Sequence, residues 1–493
     1  MSDTLPTKPG DKVFRPRRIK RFHLKKVLGI PGLFSAGYGD VGSSIYYALG
    51  IVALTALGAT PIALAAAGVI YIFNALTYAE GGAMIPEAGG SASFARHGIN
   101  NLTGFIAGWA LMLSYIATMA ISAYTIPPYL SYFWPVLNEA SVGTLTAIGI
   151  IAFLMVINVL GVRESTRLNI VFIIADIITQ IAIVVLGLLL ILKVNPGVLV
   201  QNMFGEGNWP STPNFIMGIA IAALCFTGVE TVSQLAEETR HAAERIPRAY
   251  ILMIIVVLIL FAGISIVALS AMTPQMLGDP INGWARDPVA GIAANLPAEE
   301  LRNIFAPLVA VLAASILLTA TNAGLLGISR LTYNLSTHQQ FPMSLSRVHP
   351  RFRTPYMAII IFCAIAILML IPGFSSPRFF ADLGALYVFG SLLCFAFAHL
   401  GILSLRIRKP DMNRPFKLKG NIKIKGRELP VTAILGLLTT FSIWIVVLVT
   451  QPFSRWAGTL WMLGGLLVYF LFRWRLKKST PRWQVKREKE KEL

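Results

Sequence analysis

The chain has 493 residues, of which 55% are hydrophobic and only 13% charged, with a mean hydropathy of +0.68. That balance excludes a water-soluble globular protein and leaves a polytopic, all-α membrane protein. A net charge of +19 raises nucleic acid as a partner, but the cations lie in alternate connections between apolar runs, which is the signature of membrane orientation.

Runs of about 20 apolar residues, the length that crosses a hydrocarbon core of roughly 30 Å, predict about twelve transmembrane helices. They fall near 31–54, 61–85, 102–126, 143–162, 168–192, 214–236, 250–272, 303–333, 356–373, 379–404, 430–450 and 456–472, numbered here as spans 1 to 12. Of 42 Lys and Arg residues, only Lys193, Arg286, Arg302, Arg378 and Arg455 lie on the sparsely charged side. The positive-inside rule then places both termini in the cytoplasm of a multi-pass plasma-membrane protein. The polar, basic start has no apolar core or cleavage site of a signal peptide. Basic ends suit anionic lipid rather than nucleic acid, and Phe22 to Leu28 is expected along the membrane surface.

Residues 1–30 read as a basic cytoplasmic arm and 31–192 as a first five-helix unit. Span 1 carries Gly37-Tyr-Gly-Asp-Val-Gly-Ser-Ser-Ile-Tyr-Tyr47, where three glycines in six residues each weaken a helix by about 1 kcal/mol. A broken membrane helix is tolerated where it lines a cavity, so this stretch points to a site. Span 2 ends in Thr77-Tyr-Ala-Glu80 with Pro86, and Gly89-Gly90 is expected to terminate it. The segment from Ser91 to Asn101 reads as a short interfacial connection. Span 5 holds Asp176 at membrane depth, where an ionised side chain costs at least about 2.5 kcal/mol without a partner. It is either a coupling carboxylate or a hydrogen-bonded acid that tightens helix packing.

A second five-helix unit covers 214–404. Span 6 repeats the anomaly of span 1 in Phe226-Thr-Gly-Val-Glu230. Two interrupted helices five spans apart are the pointer to an inverted-repeat secondary transporter, because an odd offset enters the membrane from opposite sides. Glu230 is a coupling carboxylate or a structural lock for the broken helix. The connection 272–303 reads as a long loop suited to an outer gate. On span 8, Thr319, Thr321 and Asn322 either ligate a cation or bond back to their own helix. Residues 405–429 form a basic loop, 430–472 hold spans 11 and 12 as scaffold or a homo-oligomer surface, and 473–493 are a basic tail. Cys225, Cys363 and Cys394 lie inside spans as apolar filler. No metal-ligand spacing or phosphate loop is present, so neither an enzyme nor an ATP-driven pump is expected and no cofactor is implied.

The ordered motifs Thr77-Tyr-Ala-Glu80, Gly161-Val-Arg-Glu-Ser165, Phe226-Thr-Gly-Val-Glu230, Ala236-Glu-Glu238, Ile246-Pro-Arg248, Asn322-Ala-Gly324 and His349-Pro-Arg-Phe-Arg-Thr-Pro355 resemble the amino acid, polyamine and organocation transporter superfamily. The resemblance implies a five-plus-five inverted repeat with cargo held at the breaks of spans 1 and 6. On that basis Gly42, Ser43, Ser44 and Ile45 hold a carboxylate, and Phe226, Thr227 and Gly228 bind an amino group or close the pocket. Ser44 replaces the second glycine of the usual motif, and Leu224 stands where relatives often carry an aromatic gate. Asp176 occupies the place of a lysine that replaces sodium in proton-coupled relatives. Gly39-Asp40 with Tyr47 also resembles the first span of potassium uptake permeases, although span 3 lacks the acid those proteins carry. The expected activity is therefore import of an amino acid or amine, with H+ as coupling ion, or Na+ or K+. Asp40, Tyr47, Asp176, Glu230, Thr319, Thr321 and Asn322 are the candidates for that coupling. Potassium uptake and a non-transporting nutrient sensor remain as alternatives.

Overall fold

The computed structural model describes residues 26–161, 166–194, 197–352, 354–376, 378–418, 420–424 and 427–479. The arm before residue 26, the tail beyond 479 and the 162–165 part of the Gly161 to Ser165 motif lie outside them. Eleven apolar helical runs are long enough to cross a membrane. The first, Ile30–Met84, spans 55 residues, about 82 Å at the helical rise, and reverses at Leu57, whose φ is 46°. It therefore supplies two crossings, which makes twelve among the described residues.

Span 3 (Asn101–Leu130) forms the axis and is 94% buried over its central window. Its start is fixed by a reciprocal cap, in which Asn100 Oδ1 accepts from the Thr103 amide at 2.9 Å and Thr103 Oγ1 accepts from the Asn100 amide. Span 8 (Glu299–Thr337) and span 10 (Phe379–Arg408) pack along span 3 on two sides. Span 7 (Ala242–Ala271) packs on span 2 (Thr60–Met84) and span 1. Spans 11 (Val431–Thr450) and 12 (Pro452–Ser479) cover the outside, and their central windows are only 22% and 17% buried. Span 12 is held by paired indoles, Trp109 donating to the Trp461 carbonyl at 2.7 Å and Trp461 to the Trp109 carbonyl at 2.9 Å.

Several expected boundaries move. Span 2 stops at Met84, short of Gly89-Gly90, because Pro86 disfavours helix in the residue before it and has no N–H to donate. Ser91–Gly98 is a helix rather than a plain connection. The 272–303 connection folds into two short helices, Pro274–Gly278 and Pro288–Ala294, each begun by a proline in its first turn. The 405–429 loop contains a small antiparallel hairpin, Ile422–Ile424 with Arg427–Leu429. Of the stretch Phe22 to Leu28, only residues 26–28 are among those described. Their backbone pairs with the connection after span 6, where Val27 and Leu28 donate to the Glu238 carbonyl at 2.9 and 3.0 Å and Arg240 donates to the Leu28 carbonyl at 3.1 Å. The extended chain outside span 1 has free donors and finds them acceptors there.

The two interruptions differ in kind. Span 1 is Ile30–Val41, a 3-10 turn at Gly42–Ser44, and Ile45–Ala56, and its backbone stays in the right-handed helical region throughout the turn. Span 6 truly opens. After Thr212–Ala222 and the 3-10 turn Ala223–Phe226, Thr227 is extended, Gly228 has φ 91°, and helix resumes only as Thr231–Gln234. The span 1 glycines serve close packing instead: a Cβ on Gly37 would sit 2.5 Å from the Met253 sulfur of span 7.

Candidate functional site

The two interruptions meet at Asp40. Its side chain is 1% exposed, and Oδ2 accepts a short hydrogen bond from Thr231 Oγ1 at the restart of span 6. Oδ1 has no hydrogen-bond partner among the described residues. Gly228 lies directly over this carboxylate, and a Cβ there would fall 2.6 Å from Asp40 Cγ. Only glycine accepts both that approach and the positive φ. Two residues on, Glu230 is fully buried and neither of its carboxylate oxygens has a hydrogen-bond partner among the described residues. Glu230 follows Gly228, which lies against Asp40, by two residues, so the two acids share one neighbourhood.

Buried hydroxyls surround this pair. Tyr115 of span 3 and Tyr387 of span 10 are fully buried, and neither phenol has a hydrogen-bond partner among the described residues. Tyr47 exchanges a hydrogen bond with Ser44 at 3.0 Å. Ser43 Oγ donates to the Asp40 carbonyl at 2.8 Å and Thr227 Oγ1 to the Leu224 carbonyl at 2.8 Å. Unpaired buried polar groups are costly, at about 1 to 3 kcal/mol each. A cluster of them at a helix break is therefore the natural place to receive a polar or charged cargo. A cation is favoured, because the buried bases among the described residues are engaged elsewhere. Arg406 is held by Glu80 through Nε and Nη2, both at 2.8 Å, and His399 sits between Asn74 Oδ1 at 2.8 Å and Thr77 Oγ1 at 3.0 Å.

The remaining candidates divide. Gly42, Ser43, Ser44 and Ile45 lie beside Asp40 with helical backbone. Phe226 stacks on Tyr71 at 5.1 Å and meets Phe261 at 5.4 Å, in an aromatic cluster linking spans 2, 6 and 7. On span 8, Thr321 Oγ1 donates to its own helix at Leu317 and Thr319 Oγ1 to Ser315. Asn322 accepts from Asn158 of span 4 at 2.6 Å. Asp176 stands apart from Asp40, saturated by donors: Tyr38 Oη at 3.2 Å, Gln180 Nε2 at 2.7 Å and Tyr46 Oη. Thr231, Tyr387, Tyr38, Tyr46 and Gln180 escaped the sequence reading. Each is an ordinary helix residue until its distant partner is known.

Both ends of the site are shut. On the basic side, Glu238 pairs with Arg330 of span 8 at 2.8 Å, and Ala88 N donates to Glu237 at 3.1 Å. Nearby, burial raises the Glu87 carboxyl, but hydrogen bonds from His97 and Ser93 and the Arg96 charge outweigh it and hold the pKa down to about 2. On the opposite side, Gly50 presses on Ala285, where a Cβ would lie 2.2 Å from the carbonyl oxygen.

A twelve-crossing helical bundle with an enclosed acidic site at a broken helix has the build of a membrane transporter. A family model described as amino acid permease matches residues 28–472, and the chain belongs to that family, within the amino acid, polyamine and organocation superfamily. It is 27% identical to the branched-chain amino acid permease BcaP of Bacillus subtilis, over 91% of this chain and 93% of that one. It is 26% identical to the human Asc-type amino acid transporter 1, over 94% and 85% of the two chains. Identity to the methylthioribose transporter of Bacillus subtilis is also 26%, over 96% and 98%. The chain is a transporter and not an enzyme.

Proposed function

We propose that this permease imports an amino acid or related amine across the cytoplasmic membrane by alternating access, coupled to protons, with both termini in the cytoplasm. The observation that carries the reading is the pair of buried acids at the span 6 break, with three carboxylate oxygens free of protein partners. A primary ammonium brings a positive charge and three N–H donors, which suits that geometry. The cargo amine docks on Asp40 and Glu230, while Thr227 and Gly228 close over it and Phe226 anchors the break against span 2. The Gly42 and Ile45 amides donate to the Tyr38 and Ser43 carbonyls, so a cargo carboxylate here takes the place of the hydrogen bonds of a 3-10 turn, which are poorer than those of an α-helix. Asp40 and Glu230 also carry the coupled proton, with Tyr47 beside them. Thr319, Thr321 and Asn322 hold span 8 in register rather than ligating an ion. The basic ends rest on anionic lipid, and the outer face of spans 11 and 12 is the surface for self-association.

A potassium-uptake reading is favoured by one specific observation. Asp40, Glu230 and Tyr47 are each no more than 1% exposed, and two acids with no free buried base beside them suit a small bare cation better than a zwitterion. The relatives are named for cargoes as different as branched-chain amino acids and methylthioribose, so kinship alone does not choose. Uptake in proteoliposomes with a panel of labelled amino acids, amines and rubidium decides. Flux of a labelled amino acid or amine, raised by an inward proton gradient, is the expected result. Rubidium accumulation with no organic flux would hand the function to potassium, and binding without flux would make the protein a sensor.

A further inference from the structure

Asp176 has a different chemistry from the other two buried acids. Its oxygens already accept from three side chains, whereas Asp40 and Glu230 retain free oxygens. Two of its donors come from span 1 and straddle the 3-10 turn Gly42–Ser44: Tyr38 lies four residues before Gly42 and Tyr46 two residues after Ser44. Tyr38 binds Oδ2 and Tyr46 binds Oδ1. One carboxylate of span 5 thus holds both halves of span 1 through separate oxygens. Gln180, one turn along span 5, donates to Oδ2 at 2.7 Å and fixes the carboxylate from its own helix.

The connection continues outward from Tyr46 alone. Its carbonyl accepts from Tyr129 Oη of span 3 at 2.7 Å, the two rings meet edge to face at 5.5 Å, and Tyr129 Oη accepts from the Val289 amide at 3.4 Å. Val289 belongs to the outer helix Pro288–Ala294. Beside it, Gly50 and Ala285 are in backbone contact, and Gly278 packs as closely on Leu54. The outer half of span 1 is therefore fastened at its base by Asp176 and at its tip by the outer connection.

We propose that Asp176 is a positioning residue rather than the coupling group: through Tyr46 it latches the outer half of span 1 closed, and Tyr38 is the pivot that stays in place. This rests on the alternating-access reading above. Opening toward the outer side breaks the Tyr46 contact first, since the turn at Gly42–Ser44 separates the moving half from Tyr38. A carboxylate with its oxygens divided between two tyrosines lets go of one while keeping the other.

The test uses Ala285→Cys, at a position 3% exposed beneath Gly50, in the full chain with Cys225, Cys363 and Cys394 replaced by Ala. Right-side-out membrane vesicles are treated with a membrane-impermeant maleimide, and cargo uptake is measured on the same preparation. Adding Tyr46→Phe, which removes only the hydroxyl, is expected to speed labelling at least fivefold and to lower KM and kcat together, as an outward bias requires. Tyr38→Phe is expected to leave labelling within twofold. Asp176→Leu should match Tyr46→Phe, and combining the two should add nothing. Unchanged labelling in a Tyr46→Phe protein with normal melting and uptake overturns the latch, as does an equal rise with Tyr38→Phe. If the parent protein moves none of the panel cargoes, the transport reading fails instead, whatever the labelling shows.

Discussion

Asp40→Asn is the most direct probe of the site. The replacement is isosteric, and its amide oxygen can still accept from Thr231 Oγ1. What changes is the free Oδ1 facing the break, which becomes a neutral amide donor. A hydrogen bond to a charged group is worth about 1.5 to 3 kcal/mol net. At 1.4 kcal/mol per decade, losing it weakens cargo affinity about 10- to 150-fold. Folding should not suffer, because a buried charge is removed from a site with no protein cation to balance it. The assay is the initial uptake rate in proteoliposomes against cargo concentration, with thermal unfolding of the purified protein as the folding control. The expected result is a raised KM with an unchanged or higher melting temperature. A KM within twofold of the parent for every transported cargo would show that Asp40 does not touch cargo, and the cation-site argument would collapse.

Gly228→Ala should abolish uptake while the protein still inserts in the membrane, since the new methyl meets the Asp40 carboxylate at 2.6 Å in a backbone conformation costing about 1 to 3 kcal/mol for other residues; normal uptake would place the break elsewhere. Arg406→Met should destabilise by about 3 to 5 kcal/mol because Glu80 is left buried and unpaired. Adding Glu80→Gln should recover most of that in chemical denaturation, and a purely additive double variant would mean the pair is not coupled. Glu87 titrates lower in the folded protein than its ordinary value of 4.5. It therefore contributes stability in full above pH 4.5 that is lost as pH falls toward 2, about 2 to 3 kcal/mol by linkage. Glu87→Gln should flatten the fall in melting temperature across that window, and an unaltered slope would assign it to other acids.

The spans and the second interruption were legible because membrane crossing imposes length and apolarity on contiguous residues, and because Thr227-Gly228 cannot continue a helix cheaply. Asp40, Asp176 and Glu230 were legible as charges at membrane depth. Their separation into two kinds was not. Whether an acid is satisfied depends on partners such as Tyr46, 130 residues from Asp176, and Thr231, 191 residues from Asp40. The span 1 glycines misled for a related reason: Gly37 reads as a helix breaker, but its missing side chain makes room for Met253 of span 7. Glu80 did leave a trace as a lone charge near the basic-side end of an apolar run, whereas Arg406 is masked by Arg408 and Lys409 beside it. Only the packing of spans 2 and 10 makes them one ion pair.

The short seam joining residues 26–28 to the connection after span 6 also bears on timing. Its backbone bonds from Val27, Leu28 and Arg240 sit beside the Glu238–Arg330 ion pair. Release on that side cannot proceed by one side chain swinging aside, because the seam and the ion pair restrain the same few residues and must part together. Two sets of contacts on the same few residues make the opening of such a joint cooperative. If cargo leaves on the basic side, as proposed above, the parting of that joint is a conformational step separate from cargo arrival at the acids, of the kind that limits turnover in many carriers and enzymes.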